Sequence, residues 1–164
     1  MNLVEAAAQA DGLAEEGKER ELSQLRAQWD DELESAARAA DFRERAVAYR
    51  AIGQFRFRTK KELIRRGLED DSPAVRGSAL LSLEKLSRDH PGDVNDVRSL
   101  LHELLTNDGN EAVRRLAVMA LKNGSTRPDT IQLLTSLGQD EEQPRELREA
   151  AAKVAQLLRR KGTK

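Results

Sequence analysis

Cysteine is absent from the chain. That excludes disulfides, thiolate metal sites and cysteine nucleophiles. Aromatic residues are scarce, at 3%, so any core must be built from Leu, Val, Ile and Ala. No apolar run approaches the roughly 18 residues of a membrane helix. Met1 to Gly12 has two acids and no base, unlike the basic start of a secretory signal. The expectation is a soluble, cytoplasmic protein with no membrane partner. No segment alternates with period two, so no strand is expected. No Gly-x-Ser-x-Gly elbow or phosphate-cradling glycine loop occurs, and the two histidines are too few for a multi-histidine centre. No catalytic residue, metal site or cofactor is expected, and the chain does not read as an enzyme.

What is present is charge, at 35%, against 38% hydrophobic residues. A chain so poor in apolar residues suits a thin layer of helices in which each unit buries only the face that meets its neighbour. The net charge of −1 conceals a strong asymmetry. Residues 1–42 carry 11 acids and 4 bases, residues 43–66 carry 9 bases and 2 acids, and the remainder is nearly balanced.

A short pattern of apolar residue, Arg, two residues and Ala recurs four times. It reads Phe42-Arg43 with Ala46, Val75-Arg76 with Ala79, Val113-Arg114 with Ala117, and Leu147-Arg148 with Ala151. The arginines are spaced by 33, 38 and 34 residues, a period typical of helical repeats. Each copy opens a helix, expected at about 41–54, 73–87, 110–122 and 144–160. The start signals are Ser72-Pro73, Asp108 to Glu111 and Gln143-Pro144. A second set of helices lies between them. Leu22, Leu25, Trp29 and Leu33 mark one over about 18–39. Thr59 to Glu62 reads as a capping box before Leu63, Ile64 and Leu68. Val94, Val97, Leu101 and Leu104 mark a third, and Ile131, Leu134 and Leu137 a fourth. Glycines at 53, 67, 92, 124 and 138 suggest left-handed helix caps. The recurrent alanines 46, 79, 117 and 151 should be buried equivalently.

The stretches Ala51-Ile52-Gly53, Glu62-Leu63-Ile64 and Asp70 to Arg76 resemble the HEAT-like repeats common in bacterial proteins. The resemblance covers about residues 41–160, and 18–40 more loosely. It implies an all-α α-solenoid of about four helical hairpins, or eight main helices. The repeats fall at about 18–55, 56–89, 93–123 and 126–160, within an array over 18–164. Residues 1–17 form an N-terminal segment, a frayed capping helix interrupted by Gly12 and Gly17. The resemblance also implies a polar ladder of turn acids and the arginines Arg43, Arg76, Arg114 and Arg148. HEAT-like hydroxylases with a di-iron centre use several His-Glu pairs. Here His102-Glu103 is the only such pair, so His102 reads as structural or exposed.

Function then rests on surface. A stack of hairpins presents a long face to a partner, and a non-catalytic protein-binding scaffold or adaptor is the first reading. The second is a nucleic-acid-binding module using the basic edge around 43–66. There Arg56, Arg58, Lys60, Lys61, Arg65 and Arg66 interleave with Phe55 and Phe57, as phosphate contacts and base-stacking would require. Two other readings of this run stay open: the phenylalanines plug the hairpin, and the bases neutralise the acidic segment before them. The oligomeric state is open.

Overall fold

The apolar steps of three and four residues become ten helices in the computed structural model, which describes residues 1–163. They are α1 (Leu3–Glu15), α2 (Glu19–Ala37), α3 (Phe42–Gln54), α4 (Lys61–Leu68), α5 (Pro73–Leu86), α6 (Pro91–Asn95), α7 (Arg98–Asn107), α8 (Glu111–Leu121), α9 (Pro128–Gln139) and α10 (Arg145–Gly162). No strand occurs among the described residues. The fold class is the all-α helical-repeat class that the sequence implied. No helix among the described residues is long and apolar enough to cross a membrane.

The chain divides into two compact units, residues 1–86 and 87–164. In the first, α2 pairs with α3 and α4 with α5, and the two hairpins join where α3 lies along α5. α1 packs on both α2 and α3. In the second, α7 pairs with α8 and α9 with α10, and α8 lies along α10. Each unit therefore stacks two hairpins through their second helices.

α1 is better made than a frayed cap. Asn2 caps it with a full capping box, its side chain accepting from the Glu5 amide while Glu5 reaches back to the Asn2 amide. Leu3, Ala6, Ala7 and Ala10 are buried on one face, and Gly12 lies inside the helix rather than ending it.

Close approach of α3 to α5, and of α4 to both, explains two glycines differently from the expected left-handed caps. Among the described glycines only Gly17 has a positive φ, at 71°. Gly53 is buried within α3, and a Cβ there would lie 2.8 Å from the Ser82 Cα. Its amide donates to Ser82 Oγ at 2.9 Å, and that hydroxyl donates to the Tyr49 carbonyl. Gly67 faces the Tyr49 ring and the Ala79 methyl, with 2.5 and 2.9 Å to an added Cβ. Both are points of close helix approach, not chain reversals. The left-handed position at the end of α3 falls to Arg56, with φ 59°.

Other local expectations are also corrected. Thr59 is exposed and caps nothing, because the turn from the Lys60 amide to the Phe57 carbonyl moves the start of α4 one residue on. Asn110, not Asp108, caps α8 through Val113 N, while Asp108 accepts from the Asn110 amide. The third first-helix breaks into α6 and α7, where Asn95 and Arg98 form side-chain bonds that compete with a continuous helix. Ala79, Ala117 and Ala151 are buried as expected, but Ala46 is only half-buried and Phe42 is exposed. The first repeat is in a different register. Its buried set is Ala48, Tyr49, Ala51, Ile52 and Phe55, which matches Ala79, Leu80, Ser82, Leu83 and Leu86 of α5.

Candidate interaction surface

That register places Arg45 where Arg76 stands in α5. Arg45 Nη1 donates to the carbonyls of Ala39 and Ala40, at 3.0 and 2.8 Å. Its Nε and Nη2 grip Asp70 at 3.0 Å each, and Nη2 also reaches Asp71 at 3.2 Å. Burial would raise the Asp70 carboxyl, but the Arg45 fork and the Ser72 amide outweigh it and hold it below the usual carboxylate range. Arg76 Nη1 donates to the Asp70 carbonyl at 2.9 Å. Arg114 donates to the Leu105 carbonyl at 2.8 Å and to Gln143 Oε1 at 3.0 Å. Arg148 donates to the Gln143 carbonyl at 3.1 Å. Each of the four satisfies carbonyls that the preceding helix or turn leaves open. Arg43 has no place in this series. It is exposed, with its guanidinium 5.6 Å from the Phe42 ring centre.

The basic edge is partly consumed by the acidic segment before it. Arg56 Nη1 meets Asp11 at 2.7 Å and also donates to the carbonyls of Gly53 and Gln54. Asp11 takes Lys85 Nζ as well, at 2.9 Å, so one α1 carboxylate joins the end of α3 to α5. Burial works to raise Asp11, yet Lys85 and Arg56 together bring it below its ordinary value. Lys60 Nζ sits between Asp30 and Glu34 at 2.6 Å each, with its side chain only 9% exposed. It also lies 4.9 Å from the Phe57 ring centre. Burial pushes the Lys60 ammonium down, and the two carboxylates more than reverse this. Phe55 and Phe57 are buried, with ring centres 5.5 Å apart. They are core residues, and neither offers a face for a base. Arg58 is half-buried, while Lys61, Arg65 and Arg66 are exposed on and around α4.

His102 does not work with Glu103, which bonds Asn107 instead. His102 Nε2 lies 2.9 Å from Thr130 Oγ1, which accepts from Arg98 Nη1 at 2.8 Å. Thr130 can therefore give its own hydrogen to Nε2, which suits a neutral imidazole. Burial pushes His102 below its ordinary value, Asp129 opposes this, and Arg98 and Arg127 add to it. Arg98 is 5% exposed and is held by Asn95, the Ser125 carbonyl and Thr130. The sequence reading missed this cluster. An arginine four residues before His102, on the same face of one helix, was the available signal. No group of three or more potential metal ligands occurs among the described residues.

The site geometry and the stacked hairpins define a helical-repeat protein of the HEAT type, with a series of arginines spent on joining its own turns. Residues 45–152, about two thirds of the chain, match the family model Cnd1, described as non-SMC mitotic condensation complex subunit 1. The chain belongs to that family. No curated protein matches it.

Proposed function

We propose that this protein is a non-catalytic scaffold that holds a protein partner on its helical-repeat surface, in the cytoplasm. The observation that carries this reading is the internal use of the basic edge. Arg56 and Lys60, two cations that would anchor a phosphate backbone, are tied to Asp11, Asp30 and Glu34. The aromatics beside them are buried. Membership in a family described as a subunit of a complex supports a protein partner. The test is capture on the immobilised chain from native lysate, with and without nuclease. A protein partner retained at undiminished yield after nuclease is the expected result. Capture that nuclease abolishes would overturn the reading.

A second reading, nucleic-acid binding through the same edge, rests on the exposure of Lys61, Arg65 and Arg66. It requires affinity that falls steeply with salt, because each phosphate contact releases counterions. Neutralising Arg65 and Arg66 together should then weaken binding without loss of thermal stability. Undiminished binding in that variant would remove this alternative.

A further inference from the structure

Four large apolar side chains are exposed among the described residues: Met1, Val4, Phe42 and Leu81. Three of them stand at, or next in the chain to, residues that line one groove of the first unit. Val4, at 56% exposure, lines it, and Met1 and Phe42, at 73% and 44%, are chain neighbours of its lining residues. The groove, about 890 Å³, lies between the start of α1, the end of α2 and the start of α3, with Ala36, Ala39 and Val47 on its other walls. Val4 gives the groove an exposed apolar lip beside the smaller apolar walls of Ala36, Ala39 and Val47.

The charges around it specify the occupant. Glu32, Arg38, Arg43 and Glu44 line the groove; Arg38 is paired with Glu34, and the other three have no ion-pair partner among the described residues. A partner carrying charge of one sign would meet a like charge here whichever sign it carried. A surface bearing both signs around an apolar centre is complementary to itself, because a two-fold axis can set Arg43 of each copy against Glu44 of the other. We propose that a second copy of this chain docks in this groove, apolar face to apolar face, with Arg43 and Glu44 pairing across the two-fold. The exposed Arg43, which has no place in the arginine series, thereby gains a role. The small patch makes the dimer weak, in the range of interfaces below about 1,200 Å². This inference does not depend on the identity of any other partner.

Sedimentation of the full chain tests it. The mean mass should climb from the 18.3 kDa monomer toward the dimer between about 5 and 500 µM. Val4→Glu, at an exposed position, should weaken association at least about tenfold while the melting temperature holds. Arg43→Glu and Glu44→Arg should each weaken self-association, since each sets like charges together. Mixed in equal amounts they should form a heterodimer tighter than either variant alone, because positions 43 and 44 are then both acidic in one copy and both basic in the other. The mixing arm keeps its meaning even if a single variant is somewhat less stable. A parent that stays monomeric throughout the range overturns the proposal and leaves the groove to a helix of another protein. Association indifferent to Val4→Glu, or a mixture no tighter than its components, overturns it equally.

Discussion

Arg45 and Asp70 meet in a two-pronged ion pair, with Nε to Oδ2 and Nη2 to Oδ1 both at 3.0 Å. It links the start of α3 to the turn that opens α5, so it joins one hairpin to the next. Both side chains are about six-sevenths buried. Replacing Arg45 with Ala should cost about 2–3 kcal/mol, because Asp70 and two carbonyls lose a charged donor in a partly dry site. Arg43→Ala should stay within about 0.5 kcal/mol, as exposed positions do. Urea unfolding of the two variants checks the contrast, and equal effects would show that the arginine series begins elsewhere.

The glycines divide by environment. Gly53→Ala should destabilise by about 1–3 kcal/mol, since the added methyl meets the α5 backbone. Gly67→Ala should cost a similar amount against the Tyr49 ring. Gly12→Ala should stabilise by about 0.5–1 kcal/mol, because nothing lies within 4 Å of the added carbon and the helix gains propensity. Thermal melts of the three variants give the signs directly.

Overpacking distinguishes the repeat positions. Ala117 is fully buried in α8, so Ala117→Leu should lose about 1–3 kcal/mol. Ala46 is half-buried, and Ala46→Leu should cost clearly less. A matching loss at both positions would contradict the shifted register of α3.

Asp11 holds α1 to the unit through Arg56 and Lys85. Asp11→Asn should lower stability by about 1–3 kcal/mol and speed amide exchange in α1 more than in α5. Uniform exchange rates would mean that the buried alanines alone hold the helix down.

Stability should fall toward acid in two stages. His102 is held below its ordinary 6.5, so the unfolded chain binds its proton first. Its contribution is complete above pH 6.5 and is lost as pH falls toward the lower folded value. Asp11 and Asp70 are held below 3.8, and Glu34 below 4.5 by Lys60 and then Arg38. Their contribution is present above those ordinary values and is lost as pH falls through the depressed ones. Denaturation midpoints from pH 7 to 3 should show both stages, and His102→Gln should remove the first alone.

The sequence by itself determined the helical class and most of the helix pairing. Apolar spacing, with proline starts for α5 and α10 and polar capping residues for α8, placed these helices within a residue or two, and the three alanines in them were legible because each follows a buried Val or Leu and an Arg. The same pattern chose Phe42-Arg43 in α3, although there the equivalent first position is the polar Glu44. Only the packing of Tyr49, Ile52 and Phe55 against α5 sets that register. A helix of period 3.6 offers several faces of comparable apolar content, and the neighbour it meets selects one. Opposite charges on residues 1–42 and 43–66 were equally visible, but whether they attract each other or a partner depends on distance. Electrostatic pairing is decided over a few ångströms, and Asp11 lies 45 residues from Arg56 along the chain. Tertiary structure brought them to 2.7 Å, and left an open groove beside Val4 at the start of α1, the end of α2 and the start of α3, because each helix buries only the face that meets its neighbour in the unit.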